Sequence, residues 1–154
     1  MSKIDYCNCL FYNMSTENVN KLQLVQNHAA RIIKKAPKTS SASLILKELH
    51  WLPIKFRVSF KIAVIVFKSL NNENFPSYIS ELLTIYTPSR TLRSLDKCFL
   101  VKPLMKLSSF GHRSFIYAAP EVWNELPFDI RSCTSFPLFK KKLKTFYFRN
   151  AFNQ

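Results

Sequence analysis

The sequence predicts a mainly α, single-domain protein, and three observations carry that prediction. Ile62-Ala63-Val64-Ile65-Val66-Phe67, closed off by Lys61 and Lys68, is wholly apolar and must be buried, since each large side chain gains roughly 1.5–3 kcal/mol by burial. Residues 19–35 and 134–151 repeat apolar side chains at spacings of three and four, the period of an amphipathic helix. The chain has 154 residues, 47% of them hydrophobic, enough for one core and too apolar for a disordered chain. Residues 1–154 are read as one domain, with internal loops at 36–43 and 84–96 and a candidate small β-hairpin around 98–115.

In chain order, Ile4, Tyr6, Leu10 and Phe11 outline a short helix that Asn13 ends. From Val19 to Lys35, Leu22, Val25, Ala29, Ile32 and Ile33 share one face, and Lys21, His28, Arg31 and Lys35 share another. Ala36 to Ser43, with Pro37 among serines and threonines, is a linker. Leu44 to Leu49 is a short helix ending ahead of Pro53, because proline disfavours helical geometry just before it. The stretch from Leu49-His50-Trp51-Leu52-Pro53 to Asn71 is the centre of the chain. Phe56, Val58, Phe60, Ile62, Val64 and Val66 alternate as a strand would. The run is nevertheless far longer than the roughly 5–6 residues of a usual strand, and Lys55, Arg57, Lys61 and Lys68 leave it a polar flank; a buried helix is expected.

Pro76 opens a further short helix, Tyr78 to Leu83, and a basic loop follows. Cys98 to Val101 and Leu107 to Phe115 are the candidate hairpin arms, with Gly111 at the bend. Pro120 is expected to begin a helix reaching Trp123, in a first turn where proline is tolerated. Thr134 or Ser135 caps the last helix, which presents Phe136, Phe139, Leu143 and Phe146 on one side and Lys140, Lys141 and Lys144 on another.

Charge gives the first indication of function. With 23 Lys and Arg against 9 Asp and Glu the formal charge is +14, and a fold so charged calls for an anionic neighbour. Nucleic acid or an anionic membrane face would serve, against the plainer reading of a basic, solvated surface. The sign asymmetry makes nucleic acid the expected partner, and no apolar run reaches the roughly 20 residues of a membrane span. Phosphate contact asks only for charge and reach, and the best-placed cations are Arg31, Lys35, Arg90, Arg93, Arg113, Lys140, Lys141 and Lys144.

Catalytic patterns are missing. Gly111 is the single glycine, whereas phosphate-cradling loops and nucleophile elbows need several. Asp5, Asp96 and Asp129 are isolated, so no carboxylate pair can hold two metal ions. Cys7 and Cys9 stand too close for a zinc clip, and His50, Cys98, His112 and Cys133 are scattered. Trp51 and Trp123 could stack on unpaired bases, but their proline- and leucine-rich surroundings favour a core role. No enzyme activity, cofactor, metal or small-molecule substrate is expected. Four cysteines without a secretory signal point to reduced thiols and an intracellular, nuclear or cytoplasmic, protein.

Five stretches, in order over nearly the whole chain, resemble the C-terminal region of the reverse transcriptase polyprotein of LINE-type (non-LTR, jockey-like) retrotransposons. They are Leu22-Gln23 with Val25-Gln26-Asn27 and Ala29-Ala30-Arg31; Leu49-His50-Trp51-Leu52-Pro53 with Arg57 and Phe60-Lys61-Ile62; and Tyr86, Pro88-Ser89-Arg90 and Leu92-Arg93-Ser94. Next come Gly111, Arg113, Phe115, Ala119-Pro120, Trp123-Asn124, Leu126-Pro127 and Ile130-Arg131, then Phe139-Lys140, Leu143-Lys144-Thr145 and Phe148. Asp5-Tyr6-Cys7-Asn8 resembles the approach to this region, and Asn13 stands where the family often has glycine. The resemblance implies a segment lying after the polymerase palm and thumb, without polymerase or endonuclease chemistry of its own, that binds element RNA or target DNA. The zinc-knuckle ligands of some other LINE groups have no counterpart here. A protein-interaction module, through self-association or contact with an upstream reverse transcriptase domain, is the rival expectation, and a decayed remnant without activity the third.

Overall fold

The central apolar run forms an α-helix, Ile54–Asn71, in the computed structural model, which describes residues 3–71, 75–87, 98–104 and 111–152. Before it come two short 3-10 turns, Lys3–Asp5 and Asn8–Phe11, then α1 (Thr16–Lys34) and α2 (Ala42–Glu48). With the central helix as α3, the chain continues through α4 (Ser77–Ser80), α5 (Phe115–Asn124), α6 (Phe128–Arg131) and α7 (Phe136–Phe152). The protein is mainly helical, and no strand occurs among the described residues.

Alternation along α3 lost to packing. Val58, Ile62, Ala63, Val66 and Phe67 are buried at helical spacing, and the helix meets α1, α4, α5, α7 and the second 3-10 turn. With neighbours on so many sides, β-branched residues gain more from burial than they lose in helix propensity. Ring contacts knit the core: Phe67 stacks on Phe139 with centroids 4.2 Å apart, and Trp123 lies 5.9 Å from the same Phe139 ring. Phe139, Leu143 and Tyr147 are the buried stripe of α7, with Phe136 and Phe146 packed on its margins.

The candidate hairpin takes a different form. Leu100 pairs with Ile85 in an antiparallel bridge, with Tyr86 N–H donating to Phe99 at 2.8 Å and Val101 N–H donating to Thr84 at 2.8 Å. The Asn124 side chain holds Leu100 from the other side, accepting from its N–H at 2.9 Å and donating to its carbonyl at 2.8 Å. Residues 98–101 therefore satisfy their backbone against 84–86 and α5. Phe115 opens α5 instead of closing a hairpin; residues 107–110 lie outside the described set. Pro120 sits inside α5, five residues beyond its first. An interior proline costs roughly 3 kcal/mol, which burial of Ala118, Ala119, Val122 and Trp123 on the same short helix outweighs.

The stripe expected on α1 does not face the core. Val25, Ile32 and Ile33 of that stripe are exposed, as is Leu24, and Leu22 and Ala29 are half-buried, while Gln26 and Ala30 are buried. The glutamines turn inward because they satisfy the start of α3. Gln26 Nε2 donates to the Leu52 carbonyl at 2.9 Å, and Ile54 N–H donates to Gln23 Oε1 at 2.9 Å. Ile54 N–H is a first-turn donor without an intrahelical acceptor, so α1 caps α3 from a distance in sequence.

With so little glycine, left-handed backbone falls to Cys7, Asn13, Lys35, His50 and Cys98, of which only asparagine tolerates it readily. Lys35 and His50 close α1 and α2 in the same way. Ala36 N–H reaches the Arg31 carbonyl at 2.9 Å and Trp51 N–H reaches the Leu46 carbonyl at 2.9 Å, the bond that spans a left-handed helix end. Cys7 divides the N-terminal segment, which forms two 3-10 turns where a single helix was expected.

Candidate nucleic-acid interface

Packing α7 along α3 has a consequence at the margin of the seam. Arg57 and Lys61 stand one turn apart on α3; Lys140 and Lys144 stand one turn apart on α7. All four line one open cleft of about 490 Å³, with the turn Asp5 and Asn8 and the connection His50-Trp51-Leu52 completing its wall. The side chains that pin the two helices together thus aim the flanking cations at a shared space.

Among the described residues Asp5 is the only carboxylate lining the cleft, and Arg57 engages it, Nη2 donating to Oδ2 at 2.7 Å. None of the ion pairs among the described residues involves Lys61, Lys140 or Lys144. Lys140 Nζ lies 5.4 Å from the Phe136 ring centroid, an attraction that leaves its three N–H donors available. The cleft therefore presents net positive charge over an apolar floor of Leu52 and Phe60. Trp51 is half-buried, one side packed on the small Ala30–Ile45–Leu46 cluster while it also lines the cleft. His50 rests against Phe148, ring centroids 5.5 Å apart.

The structure divides the cations nominated by sequence among several surfaces. Lys140 and Lys144 come together in the cleft. Lys141 lies on the other flank of α7, lining a depression with Asp129, Lys142 and Arg149. Arg31 and Lys35 sit at the end of α1 beside His28 and Lys38. Arg31 is also structural, its Nε and Nη2 donating to the Ser40 carbonyl at 3.3 and 3.0 Å and so fastening the linker. Arg113 is exposed one residue before Ser114, the N-cap of α5. Arg90 and Arg93 lie outside the described residues.

Sequence reasoning passed over Arg57, Lys61, His50 and Asn8 as site residues. A usable signal was present: cations four apart on each of two helices whose apolar stripes must meet. Trp51, expected in the core, is both core and cleft wall. Trp123 is a core residue, 1% exposed, with its indole N–H bonded to the Cys98 carbonyl at 2.8 Å.

Among the described residues no three His, Cys, Asp or Glu side chains are grouped to hold a metal ion, and no helix is long and apolar enough to cross a membrane. Burial, with Cys7 nearby as a lesser cause, raises the Cys9 thiol and so disfavours its thiolate. Burial likewise raises the Tyr12 and Tyr147 hydroxyls, in each case with glutamates adding to it. Arg131 is 7% exposed over the Phe99 ring, and burial pulls its guanidinium below the usual arginine range. Comparison with protein-family models, with curated proteins and with solved structures finds no match to this chain.

Proposed function

We propose that this chain is a non-catalytic nucleic-acid-binding module, the C-terminal segment of a LINE-type reverse transcriptase, which grips phosphates of element RNA or target DNA in the α3–α7 cleft. One observation carries the reading: two packed helices bring Arg57, Lys61, Lys140 and Lys144 to one cleft that, among the described residues, a single carboxylate lines. Lysines there displace the counterions condensed on a phosphate backbone, and release of those ions drives binding. The five sequence stretches that resemble the LINE segment support the same reading.

The test is the affinity of the purified chain for a structured RNA hairpin and a matched DNA duplex between roughly 50 and 300 mM salt. Four phosphate contacts, one for each cation of the cleft, predict a loss of about fiftyfold to 150-fold between 50 and 200 mM. Salt-insensitive, equal and weak binding would contradict the proposal, and polymerase activity from the chain alone would contradict its non-catalytic part.

A second reading rests on the exposed apolar face of α1, where Leu24, Val25, Ile32 and Ile33 lie open with Leu44 of α2 exposed nearby. Such a face fits a protein-interaction module or self-association. A mass that rises with concentration in sedimentation equilibrium would favour it.

A further inference from the structure

We infer that the α3–α7 cleft takes an unpaired nucleotide, base included, so that the module selects single-stranded over duplex nucleic acid; the inference rests on the nucleic-acid reading above and deepens it. Charge alone does not account for the residues in this cleft. The open cleft, of about 490 Å³, has room for a base as well as a phosphate. Trp51 and Phe60 supply aromatic surface within the same cleft as Lys140 and Lys144. Base stacking on an aromatic side chain beside backbone-neutralising cations is how single strands are held without sequence preference.

Asn8 is the independent observation. It lines the cleft at 4% exposure, and its Oδ1 is buried without a hydrogen-bond partner among the described residues. A buried acceptor left unpaired destabilises a free protein and is rarely retained without a donor to meet it. Phosphate cannot supply that donor, having only acceptor oxygens at neutral pH. A base edge can, because every nucleobase carries an amine or imide N–H. The cleft thus pairs cations for the phosphates with an acceptor for the base. His50, in strained left-handed backbone at φ 52°, stands on the same wall and helps fix its shape.

The experiment compares oligothymidylate with an abasic strand of equal phosphate count, at one salt concentration, following both affinity and tryptophan fluorescence. Oligothymidylate should bind about tenfold or more tightly, as stacking of a base or two implies. It should also quench emission from Trp51, because Trp123 is sealed in the core. Trp51→Phe, which replaces the indole with a smaller ring, should remove most of the quenching and weaken thymidylate binding about threefold or more. Asn8→Leu, with the same branched skeleton but without the acceptor, should lower the thymidylate-to-abasic ratio about threefold to tenfold. Equal affinity for the two strands, with a normal salt slope, would overturn the nucleotide pocket and leave phosphate binding standing. If neither strand binds more tightly to the native chain than to the Lys140→Gln, Lys144→Gln double variant, the underlying reading falls as well.

Discussion

The α3–α5–α7 core and the α1–α2 corner use similar apolar stripes in opposite ways. In the core, residues spaced by three and four are sealed, Phe139 and Leu143 completely. On α1 the same spacing leaves Ile32 76% exposed, and the helix attaches through glutamines and Ala30 instead. Periodicity announces a helix; it does not say which face the rest of the chain will cover. α3 is surrounded, and its stripe has to be inside, whereas α1 packs mainly on α2 and α3 and can dock by whichever face makes the better bonds.

The sharpest way to break this contrast is a pair of truncations. Phe139→Ala should destabilise the chain by about 3–5 kcal/mol in chemical denaturation, since it empties a site stacked on Phe67 and touching Trp123. Ile32→Ser should change stability by less than about 0.5 kcal/mol. A large loss at Ile32 would mean that the α1 face is covered in solution, which favours self-association.

Gln26→Leu comes next. It keeps the volume but leaves the buried Leu52 carbonyl without its donor, and should cost about 1–3 kcal/mol by the same measurement. A neutral outcome would show that α1 is held by something other than its glutamines.

Alkaline pH probes the core alone. The folded chain holds Tyr147 neutral well above the ordinary tyrosine pKa of 10.0, while the unfolded chain ionises near that value. Stability is therefore full below about pH 10 and declines as pH rises beyond it, by up to about 1.4 kcal/mol per pH unit for each such tyrosine. Tyr147→Phe should make that decline shallower in denaturation curves recorded between pH 9 and 11, with Tyr12 and the raised Cys9 thiol contributing to what remains.

The smallest expected effect is a gain. Lys35→Gly at the left-handed end of α1 should stabilise the chain by up to about 1 kcal/mol, read as a rise in melting temperature, because glycine adopts φ 50° without strain.

Much of this architecture could be read from the residues. Central helix α3, the helix at the C-terminus and the helix after Asn13 follow from apolar spacing, and Ser135 accepts the Phe139 N–H at 2.9 Å as a capping position should. What escaped depends on contacts distant in sequence. Gln23 and Gln26 look like surface residues until the Leu52–Ile54 backbone lies beside them. Leu100 looks like the arm of a local hairpin until Asn124 and Ile85 claim its backbone. The site was half legible for the same reason: Lys140 and Lys144 stand out as a cluster, but Arg57 and Lys61 join them only once α3 and α7 are packed.

The most direct test of the central claim measures the salt dependence of single-strand binding for two variants that each lose two cations. Lys140→Gln with Lys144→Gln strips the cleft, while Arg113→Gln with Lys141→Gln strips cations that lie off it. The slope of log affinity against log salt should fall by about 1.4 for the first pair, at roughly 0.7 per phosphate contact, and stay near the native value for the second. Equal reductions in the two variants would contradict the account, because charge would then act from the whole surface and the cleft would have no special part in binding.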